Sequence, residues 1–303
     1  MIAYQKRQSI LLIKETILLL KRGRKMSRTR VWIVGAEGNL GSMVYHEIDR
    51  EEYSVVTSDK DVDITDIEQV TRYIDVNRPD VVINCAGIVQ LKNDENDLLD
   101  VYRVNTLGAR NLAIATRKTG AKIIHISSDD VFSGVGAVEL DEFDIAMPDT
   151  PYGKSKLAAE TMIRELNPKH LIVRSSWVYG GGKGEDFVQK VLRLAKENQK
   201  VQAPNDQISS PTSCKELARF LVCLIDEKEY GVFHASCEGS CTRYDFAKAI
   251  LEQNGMDSSQ VEPVFSGQQA RCTKLRNLMM ELTGIYQMPT WQQALKDYFV
   301  QTN

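Results

Sequence analysis

Short runs of apolar residues alternate with segments of helical periodicity from residue 30 onward. The apolar runs predict five strands: RVWIV (30–34), SVVTS (54–58), DVVINCA (80–86), KIIHISS (122–128) and HLIVRSS (170–176). The segments between them predict helices over 40–50, 66–77, 95–119 and 151–167. Strands that are apolar along their whole length belong to a sheet that helices cover on both faces. The pattern therefore predicts an α/β fold with a doubly wound parallel sheet of the Rossmann type.

Beyond residue 176 the pattern is less regular. Glycines at 180–182 and 184 predict a loop, and one further strand is expected at 231–236. Helices are predicted near 185–198, 213–227, 242–254 and 291–300. We expect this carboxyl-terminal part to form a smaller cap packed against the sheet, with some segments returning to the sheet.

The amino-terminal residues 1–29 form a basic segment. Residues 1–30 carry nine Lys or Arg and one Glu, so the rest of the chain sums to −11 within a total net charge of −3. The apolar stretch ILLIKETILLL is interrupted by Lys14 and Glu15 and is too short to span a bilayer. We expect an unstructured extension here, with an amphipathic surface helix or a transit-like segment as the alternatives.

Net charge and cysteine usage narrow the class of protein. A total of −3 gives no general attraction to nucleic acid, and the chain has no run of 18 apolar residues. The six cysteines include no CxxC pair, which is typical of reduced thiols and predicts no metal site. We expect a cytoplasmic protein that binds neither nucleic acid nor membrane, with a homodimer as one candidate assembly.

Three glycines directly follow the first predicted strand. Gly35, Gly38 and Gly41 stand in GAEGNLG, at the start of a predicted helix. Small residues at this place let the backbone turn tightly and approach a pyrophosphate, which the amino terminus of the helix attracts. We therefore predict that residues 30–176 form an NAD(P)-binding domain and that residues 177–303 mainly bind the substrate.

The end of the second predicted strand bears on the choice of cofactor. Asp59 stands 24 residues after Gly35, where an acid binds the ribose hydroxyls of NAD. Lys60 suits the additional phosphate of NADP, so NADH and NADPH both stay open, with Asp59 favouring NADH. Asp63 is interpreted either as a ligand of the adenine amino group or as an acid at a helix start. The predicted cofactor-binding residues are Gly35, Glu37, Gly38, Asn39, Leu40, Gly41, Asp59, Asp63, Ile64, Cys85, Ala86, Gly87, Asn105, Tyr152 and Lys156.

A tyrosine and a lysine share one face of the fourth predicted helix. PYGKSK begins this helix and sets Tyr152 and Lys156 four residues apart. A phenol near a fixed ammonium ionises more easily, because opposite charge favours the anion. Tyr152 is therefore a candidate proton donor, and we expect Lys156 to lower its pKa and to hold the nicotinamide ribose.

Several motifs together resemble a known enzyme family. GAEGNLG, NCAG, VNTLGARNLA, ISSDDVF, YGKSKLAAE and RSSWVYG occur in the order found in extended short-chain dehydrogenases/reductases. More narrowly, SDDVFSG, SSWVYGGGKGEDFVQKVLRLA and NDQISSPT resemble the dTDP-4-dehydrorhamnose reductase family. The resemblance extends from about Arg30 to MPTWQQALKDYF near the carboxyl end.

The resemblance implies a Ser–Tyr–Lys site in which NAD(P)H reduces the C4 keto group of a dTDP-4-keto-6-deoxy sugar, giving dTDP-L-rhamnose. Ser128 matches the hydroxyl that polarises the carbonyl, Tyr152 the proton donor and Lys156 its partner. Asn105 matches a position near the cofactor and the proton relay. The substrate-binding positions that the resemblance implies are Asp130, Trp177, Asp206, Gln207 and Arg271.

Departures from the family lie on the expected substrate side. Asp130 stands where most members have Tyr, and RCTK (271–274) replaces the usual RPxN with Cys272 and Lys274. Arg271 is retained, and arginine suits bidentate phosphate recognition. Asp129 is interpreted as a turn residue at the exit from the sheet.

Two other functions remain open from the sequence. Nucleotide-sugar 4,6-dehydratases and epimerases share the fold, the cofactor and the Tyr–Lys pair, and the Asp129–Asp130 pair resembles the Asp-Glu pair of dehydratases. VFSG and NDQISSPT favour the reductase instead. The regulatory subunit of methionine adenosyltransferase is also similar, which makes a non-catalytic, cofactor-binding role the third hypothesis.

Overall fold

The computed structural model describes residues 28–89, 95–136, 139–182, 184–265 and 270–302, so the predicted basic extension lies almost wholly outside the described residues. The first elements in chain order are β1 (Arg30–Val34), α1 (Asn39–Glu47), β2 (Ser54–Ser58), α2 (Ile67–Asn77), β3 (Val81–Asn84), α3 (Glu95–Tyr102), a π-helical segment (Arg103–Gly108), α4 (Ala109–Thr119), β4 (Lys122–Ser128), a 3-10 turn (Asp129–Val131), α5 (Pro151–Leu166) and β5 (His170–Ser175). The later elements are β6 (Val178–Tyr179), α6 (Phe187–Lys196), β7 (Val201–Pro204), β8 (Gln207–Ser209), β9 (Thr212–Ser213), α7 (Cys214–Cys223), β10 (Gly231–His234), β11 (Cys241–Thr242), α8 (Arg243–Gln253), a second 3-10 turn (Ser258–Gln260), β12 (Val261–Val264), β13 (Arg271–Cys272), α9 (Leu278–Thr283) and α10 (Trp291–Thr302).

Six strands form the central sheet, in the order β10-β5-β4-β3-β1-β2. Every neighbouring pair in this sheet is parallel. Strand β2 lies on one side of β1, and β3 lies on the other. From β3 the chain adds β4, β5 and β10 in the direction away from β2. In such sheets the loops that follow the two strands at the reversal separate and leave a crevice at the carboxyl ends. The predicted doubly wound parallel sheet is confirmed.

The core explains why β1 is apolar along its whole length. Val31 and Ile33 face one side, where they pack with residues of α1 and α7. Trp32 and Val34 face the other side, where they pack with residues of α2, α4 and α5. None of the four is more than 1% exposed. Because both faces of the strand are covered, apolar and polar residues do not alternate along it.

Several predicted boundaries of strands and helices are wrong. The third strand ends at Asn84 instead of continuing to residue 86, because the Asn84 side chain accepts the N–H of Ala86 at 3.1 Å and turns the chain. The single helix predicted over 95–119 is divided by the π-helical segment, and the strand predicted over 231–236 ends at His234. The loop after β3 therefore begins earlier than the apolar run indicates.

The carboxyl-terminal part adds small sheets that the sequence did not predict. Their orders are β11-β8-β13, β12-β7 and β6-β9, and each strand has only two to four residues, too few to show a period. Tyr179, Phe246 and Trp291 belong to the core that holds this part together. Strand β10 pairs with β5 and so returns the chain to the central sheet. Among the described helices, none has the length and apolar character needed to cross a bilayer. The division of roles at residue 176 stays a prediction.

Candidate active site

A cavity of about 850 Å³ opens at the carboxyl ends of the central strands. One wall comes from the loops after β1 and β3 and the end of β4, and the other from the carboxyl-terminal part. Of the predicted site residues, its lining includes Gly38, Asn39, Leu40, Cys85, Ala86, Gly87, Ser128, Asp130, Tyr152, Lys156, Trp177, Gln207 and Arg271. The predicted residues outside the lining are Gly35, Glu37, Gly41, Asp59, Asp63, Ile64, Asn105 and Asp206.

The glycine loop forms a tight cradle at the start of α1. Gly35 has a φ of 74°, and a Cβ on Gly41 would lie 2.1 Å from the Gly35 carbonyl oxygen. Only glycine permits this approach of helix to loop. Gly38 caps α1 without a side-chain hydrogen bond, and the first turn of the helix carries no acid. Backbone N–H groups at this end are therefore available to an anion.

The residues predicted to hold the adenosine half of the cofactor have structural partners as well. Asp59 follows the end of β2, and its Oδ2 accepts the backbone N–H of Glu37 at 3.0 Å, which fixes the glycine loop. Asp63 is exposed and accepts the N–H of Thr65 at 2.9 Å, so it closes a turn before α2, whose cap is Asp66. Cofactor roles for these acids stay predictions.

Asn105 is buried in the π-helical segment, below the cavity. Its Oδ1 accepts the backbone N–H of Ile88 at 2.8 Å, and its Nδ2 donates to the Ile88 carbonyl and to Ser155 Oγ, both at 3.0 Å. Asn105 thus fixes the loop after β3 against α5. This position explains how a residue outside the lining influences the site.

The fold brings Ser128, Tyr152 and Lys156 together. All three side chains line the cavity, and Lys156 Nζ donates to the Ile126 carbonyl on β4 at 2.5 Å. Helix α5 reaches this strand end because residue 153 is glycine, whose Cβ would otherwise lie 1.9 Å from the Asp130 carbonyl oxygen. Two of the predicted residues therefore lie on one helix and the third at the end of the neighbouring strand.

The electrostatics of Tyr152 differ from the sequence prediction. Burial raises the pKa of the Tyr152 phenol, the charges of Asp130 and Asp129 raise it further, and the polar side chain of Ser128 lowers it in part. Burial also lowers the pKa of Lys156 to about 8, against the charge of Glu160. The predicted lowering of the phenol pKa is therefore wrong for this structure, because burial and two carboxylates decide its direction. The phenol holds its proton at neutral pH.

Asp129 is more than the turn residue that the sequence indicated. It is buried at the end of β4 and accepts hydrogen bonds from Thr273 at 2.5 Å, Ser209 at 3.1 Å and Ser128 at 3.1 Å. Burial raises the pKa of its carboxyl to about 6, and the charge of Asp130 acts in the same direction. Asp129 therefore ties the strand that carries Ser128 to the carboxyl-terminal part.

The departure at Asp130 is in contact with Arg271. Arg271 Nη2 donates to Asp130 Oδ1 at 2.8 Å and to the Phe132 carbonyl at 3.0 Å, and its Nη1 lies 3.6 Å from Asp149. Arg271 also donates its backbone N–H to the carbonyl of Asp206. The guanidinium of Arg271 is therefore already engaged by the protein.

Sequence reasoning missed part of the lining. Arg243 lies against the ring of Trp177, and Phe187 and Thr273 complete the same wall. The only local signal was the T-x-x-D pattern of Thr242 and Asp245, which form the capping box of α8. That pattern predicts a helix start, but it does not show that the first helical side chain faces a cavity.

Comparisons with known proteins agree with this architecture. The family model described as RmlD substrate binding domain matches residues 29–303. The chain is 34% identical over 276 residues to the spore coat polysaccharide biosynthesis protein SpsK of Bacillus subtilis, covering 89% of this chain and 96% of that protein. It is 36% identical over 278 residues to a dTDP-4-dehydrorhamnose reductase of Mycobacterium tuberculosis, covering 88% and 91%. The crystal structure of dTDP-4-dehydrorhamnose reductase from Bacillus anthracis in complex with NADP has a TM-score of 0.86 and 37% identity, covering 90% of this chain and 99% of that one.

Proposed function

This chain belongs to the dTDP-4-dehydrorhamnose reductase family, and we propose that it reduces the C4 keto group of a dTDP-4-keto-6-deoxy sugar with NADH or NADPH. For dTDP-4-dehydrorhamnose the product is dTDP-L-rhamnose. The observation that carries the proposal is the convergence of Ser128, Tyr152 and Lys156 on the lining of one cavity. The family and its named reductases supply the substrate class.

The residues present suit a dinucleotide cofactor. The glycine cradle, which a Cβ on Gly41 would fill, leaves room for a diphosphate beside the amino terminus of α1. Cys85, Ala86 and Gly87 continue this wall toward Lys156, with small side chains that leave space for the nicotinamide half. A reduced nicotinamide, when bound, supplies the hydride for a carbonyl carbon. The named relative whose structure contains NADP supports NADPH, and Lys60 beside Asp59 is exposed.

Each of the three residues has a distinct task. The raised pKa of Tyr152 keeps its phenol protonated at neutral pH, so the proton is in place for the developing alkoxide. Ser128 now donates to Asp129, and its hydroxyl turns to the substrate carbonyl when that carbonyl arrives. Lys156 has a pKa of about 8 and is mostly charged at neutral pH, so it stabilises the negative charge that Tyr152 acquires.

The acid pair favours the reductase over a dehydratase. A dehydratase needs free acid and base groups beside the sugar, in addition to the tyrosine. Here Asp129 is buried under three hydroxyl donors, and Asp130 forms an ion pair with Arg271. Both carboxyl groups are therefore engaged by the protein.

A cofactor-consumption assay tests the proposal. Purified protein is mixed with a dTDP-4-keto-6-deoxyhexose and NADH or NADPH, and the loss of cofactor absorbance is compared with the amount of sugar product. We expect one cofactor to be oxidised for each sugar reduced. We expect Tyr152→Phe to lower kcat by roughly 10²- to 10⁴-fold while NADPH affinity is kept.

Two outcomes would contradict the proposal. Sugar conversion without net oxidation of cofactor would identify a dehydratase or epimerase. Cofactor binding with no turnover of any such sugar would favour the non-catalytic role. A homodimer and a cytoplasmic location stay predictions, and sedimentation velocity tests the first.

A further inference from the structure

Arg243 is held flat in the cavity wall by two aromatic rings. It is the first residue of α8, and its Cζ lies 3.7 Å from the centre of the Trp177 ring and 4.8 Å from that of Phe187. All three side chains line the cavity. Trp177 has a φ of 42°, a left-handed conformation that is unfavourable for a bulky residue, and its carbonyl accepts the N–H of Thr212. A strained backbone thus holds the indole against the guanidinium.

The N–H groups of Arg243 lie in the plane of a stacked guanidinium. Stacking occupies the face of a guanidinium and leaves its donors in the plane. Within the residues that the structure describes, these donors have no hydrogen-bond or ion-pair partner. Burial lowers the pKa of Arg243 to about 10, while the charges of Asp129, Cys241 and Asp130 raise it. The group is therefore a charged, preorganised donor at neutral pH.

The second arginine of the cavity is in a different state. Arg271 uses one nitrogen for Asp130 and the Phe132 carbonyl, and the other faces Asp149. An anion that approached Arg271 would meet these two carboxylates as well. Of the two arginines, Arg243 is the better receptor for a strongly negative ligand.

We propose that Arg243 binds the diphosphate of the nucleotide-sugar substrate. The assignment rests on the proposed function, which supplies a ligand with two adjacent phosphates. A planar guanidinium donates two parallel hydrogen bonds to phosphate oxygens, and its fixed orientation reduces the entropy lost on binding. The cofactor has a diphosphate of its own, but the loop that suits it lies at the start of α1. Arg243, Trp177 and Phe187 all belong to the chain after β5, so the two diphosphates bind on different walls.

Calorimetry with dTDP and with thymidine tests this assignment on the full chain. Arg243→Gln removes the charge, Arg243→Lys keeps it without the planar fork, and Arg276→Gln removes an exposed arginine outside the cavity. We expect Arg243→Gln to raise the Kd for dTDP by roughly 30-fold, which is about 2 kcal/mol, and Arg243→Lys to raise it less. Thymidine lacks phosphate, so its affinity is expected to stay unchanged in every variant. The Kd for NADPH is expected to stay unchanged too, which also shows that each variant is folded.

Kinetics with the sugar substrate give a second readout. If Arg243 binds the diphosphate equally in the ground and transition states, Arg243→Gln raises KM and leaves kcat unchanged. Equal dTDP affinity in wild type and Arg243→Gln overturns the assignment but leaves the reductase intact. A weakened NADPH affinity with normal dTDP affinity also overturns it, by placing Arg243 in the cofactor half. Wild type that binds no dTDP and reduces no dTDP-sugar overturns the proposed function itself.

Discussion

Glu160 lies one helical turn after Lys156, and its substitution by glutamine tests how the lysine keeps its charge. Glu160 is fully buried and accepts hydrogen bonds from Ser127 Oγ at 2.6 Å and from Arg174 Nε and Nη2 at 2.9 and 2.7 Å. Its charge raises the pKa of Lys156, which burial otherwise lowers. Glu160→Gln keeps the shape of the side chain and removes that charge.

The expected size of the effect follows from the helical spacing. Two unit charges about 6 Å apart at an effective dielectric constant of about 20 interact by roughly 2.8 kcal/mol, which is about two pH units. The nearby Arg174 offsets part of this, so we expect the pKa of Lys156 to fall by roughly one to two units below its value of about 8. At pH 7 about half to nine-tenths of the lysine would then be neutral. Removing one partner of a buried ion pair also costs about 3–5 kcal/mol of unfolding free energy.

The assay is the pH profile of kcat for sugar reduction. If catalysis requires charged Lys156, the pH at which kcat declines on the alkaline limb of the profile is lower for Glu160→Gln than for wild type. The activity of the variant then rises again as the pH is lowered. Ser127→Ala removes one hydrogen bond from Glu160 but keeps the charge, so its limb should stay with that of wild type. A folded Glu160→Gln variant, shown by unchanged NADPH affinity, whose limb does not move would refute the reasoning.

Two further predictions concern packing and acid stability. Gly153→Ala should abolish most of kcat, because the added Cβ would lie 1.9 Å from the Asp130 carbonyl oxygen and displace α5. Gly284→Ala is the matched control, because its added Cβ meets open space. We expect this variant to keep its kcat and to lose about 1–2 kcal/mol of unfolding free energy in urea, because residue 284 has a left-handed backbone. Burial and the charge of Arg174 lower the pKa of His234 to about 3, so the folded state stays neutral while the unfolded chain takes up a proton below about pH 6.5. As the pH falls from about 6 to about 4, the unfolding free energy of wild type in urea should therefore decrease by about 1.4 kcal/mol per pH unit more than that of His234→Gln. Equal pH dependence of the two unfolding free energies would contradict the neutral state of His234 in the folded protein.

The features that the sequence predicted well are those coded by neighbouring residues. The glycines of the first loop and the Tyr152–Lys156 spacing each act within two helical turns, so their geometry follows from local rules. The strands of the central sheet were recognised for the same reason, since burial on both faces leaves one continuous apolar run. These local patterns and apolar runs could be read from the sequence because they do not depend on contacts with distant residues.

The features that were missed depend on distant parts of the chain. Asp129 has its hydroxyl partners at Ser209 and Thr273, which are 80 and 144 residues away. Arg243 meets Trp177 only because the carboxyl-terminal part packs over the end of β5. Burial is the largest cause of the raised pKa of Tyr152, and the spacing of residues in the sequence does not show how deeply a side chain is buried. Such long-range contacts cannot be predicted from the periodicity and spacing of residues in the sequence.

The charges of the cavity form one connected arrangement. Asp130 adds a negative charge beside a site for which we propose a diphosphate ligand. Arg271 offsets the charge of Asp130 through their ion pair, whereas Asp129, whose pKa burial raises to about 6, stays mostly ionised at pH 7. Because Arg271 is engaged in this way, we assign anion recognition to Arg243, whose guanidinium lies over the Trp177 ring. The assignment of the diphosphate to Arg243 therefore follows from the ion pair that Arg271 forms with Asp130.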